Sequence, residues 1–197
     1  MSDDHEVRII GGNWRSRKVS FARHEEIRPT PARIRETLFN WLRFDVAGAR
    51  CLELYGGSGI LSIEALSRGA AQVTVIEHAA HVCRHLQTEV QKLGAEPGQF
   101  RCINTSATQF LQSIAPLNQP LPEASQFDLI FLDPPFAGDE LKSVLPLIDQ
   151  RRLLADEGLI YIESGQSINT GNLPANWEIY RQKKAGAVYY CLCRITE

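Results

Sequence analysis

Residues 50–70 read RCLELYGGSGILSIEALSRGA, and the fold turns on how this stretch is read. Residues 49–55 form an apolar run of strand length. Glycines 56, 57 and 59 then break it, and an apolar run of helical length follows until Gly69. Strand, glycine turn and helix in immediate succession make the opening unit of an alternating α/β sheet. Glycine accepts positive φ and carries no Cβ, so a ligand can come close to such a turn. The helix that follows aims its first N–H groups at the same place.

The alternation continues downstream. Strands are expected at residues 71–77, 99–105, 127–132 and 158–164, with helices at 79–94, 107–114 and 140–154 between them. In the second helix Val82, Leu86, Val90 and Leu93 recur on one face. Residues 115–125, APLNQPLPEAS, read as a surface loop. Residues 177–195 read instead as two strands in sequence, joined through residues 183–186, and predict a closing hairpin. The expectation is a three-layer, Rossmann-like α/β fold whose mostly parallel seven-stranded sheet ends in an antiparallel pair.

Upstream, residues 28–45 read RPTPARIRETLFNWLRFD. Thr30 and Pro31 are placed as N-cap and first residue of a helix, with Ile34, Leu38, Trp41 and Leu42 as its apolar face. Arg33, Arg35 and Arg43 fall on or beside the polar side. A short hairpin is expected around Gly11 and Gly12. The chain thus divides into a small basic N-terminal extension, residues 1–45, and an α/β body, residues 46–197.

The 197 residues are 44% hydrophobic and 22% charged, an ordinary globular composition with material for one core. No apolar run approaches membrane-spanning length and the N-terminus lacks a signal-peptide pattern, so a cytoplasmic protein is expected. The five cysteines contain no C-x-x-C pair and read as reduced packing residues rather than a metal site. A net charge of −2 conceals an uneven distribution. Residues 7–35 carry eight Lys or Arg against two acids, which suits a polyanionic partner.

Two acids flank the glycine turn. Glu53 precedes it and could take a cationic amine, and Glu77, ending the next strand, could accept both hydroxyls of a ribose. Together they imply a nucleoside-containing cofactor. The third glycine of a dinucleotide fingerprint is missing, since Ser62 stands in its place, so a nicotinamide dinucleotide is disfavoured. S-adenosylmethionine, which carries both an ammonium and a ribose, suits the acids better.

Residues 127–139, FDLIFLDPPFAGD, hold the second decisive pattern. The strand must end at Asp133-Pro134-Pro135-Phe136, because proline donates no ladder hydrogen bond. A strand followed by a stiff loop explains these residues. So does a rigid clamp presenting a carboxylate, a carbonyl and a ring to a planar substrate.

ELYGGSG, Glu77 and DPPF, in this order, resemble the motifs of class I S-adenosylmethionine-dependent methyltransferases that act on nitrogen attached to planar systems. RIIGGNWRSRKV, RPTPARIRETLFNWL, GSGILSIEALSRGA, FLDPPF, LIYIES and KKAGAVYY together resemble the RsmD-type enzymes over residues 8–194. That resemblance implies transfer of a methyl group to the exocyclic N2 of a guanine in bacterial small-subunit (16S) ribosomal RNA. The expected partner is that RNA within an assembled or assembling 30S particle, and a monomer is the default expectation. It implies catalytic roles for Asp133, Pro134, Pro135 and Phe136. It implies a cofactor site of Glu53, Tyr55, Gly57, Ser58, Gly59, Glu77, His78, Ser106, Ala107 and Asp133, with Arg28 and Thr30 in a lid contributed by the N-terminal extension. Arg8, Arg15, Arg17, Lys18, Arg28 and Arg33 would contact RNA. The chain departs from the family pattern at Pro31-Ala32, where Thr-Asp is common, and at Ser106, where an acid or amide often binds adenine. The clamp chemistry also admits adenine N6 or a protein glutamine as the acceptor, and the basic arm alone also admits a non-catalytic RNA-binding protein.

Overall fold

The computed structural model describes residues 6–22, 27–114, 122, 125–136 and 139–196. Most of the loop expected at 115–125 lies outside these residues. The chain opens with a two-stranded antiparallel hairpin, β1 (Glu6–Arg8) and β2 (Lys18–Ser20), around the Gly11-Gly12 segment as expected. Helix α1 (Ala32–Trp41) leads into β3 (Arg50–Glu53), α2 (Ile60–Ser67), β4 (Gln72–Glu77), α3 (Ala80–Leu93), β5 (Phe100–Asn104) and α4 (Ala107–Ser113). Then come β6 (Phe127–Leu132), α5 (Glu140–Gln150), β7 (Leu154–Ser164), β8 (Trp177–Ala185) and β9 (Val188–Ile195).

Strands β3 to β9 form one sheet in the order β5-β4-β3-β6-β7-β9-β8. The pairs among β3 to β7 are parallel, and β9 lies antiparallel to both β7 and β8. This is the expected seven-stranded mixed sheet. The chain builds outward from β3 through β4 to β5, then returns to lay β6 on the other side of β3. The order reverses between β3 and β6, and a crevice opens beyond the carboxyl ends of strands at such a reversal.

Alternation along the strands sorts the core onto two faces. Cys51, Val73, Val75, Phe131, Tyr161 and Tyr190 pack with α1, α2, α3 and the N-terminal hairpin. Leu52, Ile76, Ile130, Ile160, Ile162 and Cys191 pack on the other face with α4 and α5. Helix α1 lies over a row of rings that crosses three strands. Phe131, Tyr161 and Tyr190 follow one another at 6.5 and 6.4 Å between centroids, with Phe39 at 6.4 Å from Phe131 and Trp41 at 5.5 Å from Tyr190. Ile9, Val19 and Ala22 are buried in the same cluster as α1 and α2, so the N-terminal segment shares the core of the body.

Three local expectations are corrected. Pro31, not Thr30, is the N-cap of α1 and makes no side-chain cap, while the Thr30 hydroxyl turns away to the sheet. Arg35 is buried at 2% exposure instead of facing solvent. Its neighbour α2 is buried on every side and carries Glu64, whose carboxylate accepts Arg35 Nη1 at 2.6 Å. A charge buried that deeply requires a partner, and periodicity in α1 alone cannot reveal an acid on another helix. Finally, the closing turn is Gly186-Ala187, because β8 stays paired through Ala185↔Val188 and Gly186 supplies a φ of +60°. Lys183 and Lys184 are therefore strand residues.

Candidate active site

Three segments meet at the switch point between β3 and β6. The first is the glycine turn. Gly57 and Gly59 have φ of +49° and +66°, which a side chain would strain, and a Cβ at Gly57 would point into open space. The turn is held by Glu77, whose Oε2 accepts the Gly57 N–H at 2.9 Å while Oε1 accepts the Ala79 N–H at 2.7 Å. His78, exposed, places Nδ1 3.2 Å from the same carboxylate. Glu53 is buried and accepts the Ser62 hydroxyl and, at 3.3 Å, the Ser62 N–H. Ser62 thus has a function that its reading as an absent glycine did not supply: it orients Glu53.

The second segment is the end of β6. Asp133 is half-buried, Pro134 buried, Pro135 exposed and Phe136 46% exposed. The Phe136 ring lies over Gly165, where an added Cβ would come 3.2 Å from Phe136 Cβ. The third is Thr30, buried at 4% exposure, whose hydroxyl donates to Asp133 Oδ2 at 3.2 Å. Arg35 Nε fixes this segment through the Thr30 carbonyl at 2.9 Å.

Beneath Asp133 lies a carboxylate that the sequence reading passed over. Leu132 pairs with Ile162, so the next residues, Asp133 and Glu163, continue the row on one face. Glu163 is buried and accepts the Tyr161 hydroxyl at 2.8 Å. The signal was available in LIYIES, where alternation puts Tyr161 and Glu163 on one side. Burial raises the Glu163 pKa to about 8, helped by the Asp133 charge. Burial likewise raises Glu53 to about 8, with the charges of Asp133 and Glu77 adding to it against the Ser62 hydrogen bonds, and raises Asp133 to about 6 against its bond from Thr30. Among the described residues no Lys or Arg pairs with Glu53, Asp133 or Glu163. Carboxyls that burial holds protonated, with no cation beside them, regain their charge when a positively charged group enters, so the site fits such a ligand. The acids do not converge on a point, and no metal-holding cluster occurs among the described residues.

The other expected residues distribute as follows. Tyr55 donates its hydroxyl to Glu140 Oε2 at 3.2 Å, and its pKa is raised by burial. Ser58 is buried in the turn. Ser106 is the N-cap of α4, accepting the Gln109 N–H at 3.2 Å in a capping box, with Ala107 buried behind it. Arg28 and Arg33 are exposed near the Thr30 end of α1. Arg8 donates to the Ser16 carbonyl and Lys18 pairs with Glu6 at 2.8 Å. Arg17 donates to the Leu93 and Lys92 carbonyls at the C-terminus of α3, far from the switch point. Arg15 is exposed in the loop whose neighbours Asn13 and Trp14 bond Ser67 at the end of α2. A cavity of about 990 Å³ lies at the opposite end of the sheet among Phe44, Asp156, Tyr180 and Arg194, and includes none of the site.

A doubly wound sheet with a glycine turn, an acid ending the next strand and an Asp-Pro-Pro-Phe segment at its switch point is the arrangement of a class I S-adenosylmethionine-dependent methyltransferase. The chain belongs to the RsmD-type family, whose sequence model, described as Conserved hypothetical protein 95, matches residues 7–194. It is 40% identical over 191 residues to ribosomal RNA small subunit methyltransferase D of Escherichia coli K12, covering 97% of this chain and 91% of that protein. With the protein of the same name from Haemophilus influenzae it shares 39% over 187 residues, or 95% and 93% of the two chains. The solved structure of the putative methyltransferase yhhF from E. coli superposes with a TM-score of 0.83 at 39% identity, covering 97% and 98%. Among the described residues no helix is long and apolar enough to cross a membrane.

Proposed function

We propose that this protein methylates the exocyclic N2 of one guanine in small-subunit ribosomal RNA. The observation that carries the reading is the position of Asp133-Pro134-Pro135-Phe136, at the end of β6 beside the Gly57 turn, with Thr30 bonded to Asp133. S-adenosylmethionine supplies the electrophilic methyl group. Glu77 would take its ribose, and the acidic surroundings of Glu53 its cationic amino acid end. Ser106 and Ala107 border the adenine side, and Arg28 and Thr30 cover the pocket from the segment that leads into α1.

Guanine N2 is a weak nucleophile because its lone pair is delocalised into the ring. The Asp133 carboxylate and the Pro134 carbonyl accept its two N–H bonds and turn the lone pair toward the methyl carbon. Two prolines hold these acceptors still, so the gain is one of orientation. With its pKa near 6, Asp133 is ionised at neutral pH and can receive the proton that the amine loses as the N–C bond forms. Phe136 stacks on the base once it leaves its helix.

Cations at both ends of the molecule support a large, folded RNA as substrate. Arg17 caps the far end of α3, a helix of 14 residues, roughly 20 Å from the cofactor edge at 1.5 Å per residue. An assembled or assembling 30S particle offers such a surface, and a cytoplasmic monomer suffices to use it. Asp133→Ala tests the mechanism. Transfer should fall at least ~10²-fold while cofactor affinity stays within a few-fold of wild type; near-normal transfer would refute the assigned chemistry.

A further inference from the structure

The strand register continues the row of Asp133 and Glu163 beyond the end of β6. Glu163 pairs with Tyr190 on β9, and Tyr190 pairs with Lys183 on β8. Asp133, Glu163, Tyr190 and Lys183 therefore follow one another across four strands. All four share one face, since Tyr190 and the neighbours Phe131 and Tyr161 pack in the same cluster. Three inter-strand spacings of about 4.8 Å put the Lys183 backbone roughly 14 Å from Asp133.

The next row lies on the opposite face of the same edge. Ser164 pairs with Tyr189, and Tyr189 with Lys184, whose Nζ sits 4.5 Å above the Tyr189 ring. Gly165 follows Ser164 directly and lies under Phe136. Phe136, Gly165, Ser164, Tyr189 and Lys184 thus all lie along one edge of the sheet. Both lysines are exposed strand residues, and among the described residues neither forms an ion pair. Lys18, Lys92 and Lys142 each have an acid within 3 Å. A pair of cations left without acids, on the edge that holds the clamp, is placed for phosphate.

We infer that Lys183 and Lys184, straddling the end of the β8–β9 hairpin, bind the RNA phosphates that flank the extruded guanosine, with Tyr189 holding Lys184 in place. This rests on the guanine-transfer reading above and assigns the substrate a path along the sheet edge. Arg15 and Arg17, at the far ends of α2 and α3, would then meet only distant RNA, whereas the hairpin lysines act beside the reacting nucleotide. Phosphate contacts of this kind set register and orientation and carry no sequence information themselves.

The test is steady-state methylation of small subunits lacking the modification by Lys183→Glu/Lys184→Glu, at two or more salt concentrations. Both positions are exposed, so the fold should be unaffected, and S-adenosylmethionine affinity is measured alongside as a check. The expected result is a KM for subunits raised at least tenfold, kcat and cofactor affinity within about twofold, and recovery in Lys183→Arg/Lys184→Arg. The log–log salt slope of kcat/KM should become shallower by about 1.4, from two contacts at ~0.7 each. An unchanged KM and slope would overturn the inference, as would a loss of cofactor affinity as large as the change in KM. Wild-type protein that transfers no methyl to guanine would instead remove the underlying reading, and this inference with it.

Discussion

Replacing Arg35 by methionine removes the cation on which the upper half of the N-terminal segment is built. Arg35 is buried and donates to Glu64 Oε1 at 2.6 Å, to the Thr30 carbonyl at 2.9 Å and to the Arg8 carbonyl at 2.9 Å. Breaking one side of a buried ion pair typically costs about 3–5 kcal/mol, because the remaining charge stays buried. Here Glu64 would keep Arg68 and the Ile10 N–H at 2.8 Å, which argues for the lower end, about 3 kcal/mol. For a chain of this size each kcal/mol corresponds to about 2–4 °C, so Tm should fall by roughly 6–12 °C. Thermal unfolding followed by calorimetry measures this directly. Arg35→Met/Glu64→Met should lose less than the sum of the single variants, since each single variant already breaks the Arg35–Glu64 pair and the double variant breaks it only once. A Tm shift of Arg35→Met below about 2 °C, or strictly additive losses, would show that the Arg35–Glu64 pair does not hold the N-terminal segment in place.

The acid cluster makes two pH predictions. Glu53 in the native state holds its proton up to about pH 8, while in the unfolded chain it releases it near the ordinary value of 4.5. Between those values the unfolded state binds fewer protons, so stability falls as pH rises, by at most about 1.4 kcal/mol per pH unit for one group. Glu163 adds a fall over the same window. Urea unfolding from pH 4.5 to 9 should therefore show Glu53→Gln and Glu163→Gln gaining on wild type as pH rises, and a gap independent of pH would count against the assignments. For activity, Asp133 with a pKa near 6 predicts that kcat declines below pH 6 as the carboxylate takes a proton. Any residual transfer by Asp133→Asn should lack that acid limb in a pH–rate profile.

The parts of the fold that local pattern controls could be read from residues alone. Strand runs, the glycine turn, the Val82-Leu86-Val90-Leu93 face and the Asp-Pro-Pro-Phe stop each depend on near neighbours, and the alternation of elements fixed the class of sheet. Residues whose meaning depends on a distant partner were misread or overlooked. Arg35 looked like surface because Glu64 lies 29 residues away on another helix. Thr30 looked like a cap because Asp133, its hydrogen-bond acceptor, is 103 residues away. Ser62 read only as a missing glycine, and Glu163 only as the last residue of a strand. Lys183 and Lys184 looked like turn residues, and only cross-strand register puts them in line with the clamp. The site is thus legible where it is a motif and obscure where it is a network.

If the end of β6 directs a methyl group to guanine N2 of small-subunit RNA, the position of the transferred methyl reveals it. Protein, labelled S-adenosylmethionine and small subunits lacking the modification are incubated together, and the label is located by nuclease mapping and mass spectrometry of the nucleosides. The expected result is a stoichiometric label on the N2 of a single guanine, absent when Asp133→Ala replaces the wild type. Label on adenine N6 or on a ribosomal protein, or equal labelling by Asp133→Ala, would contradict it.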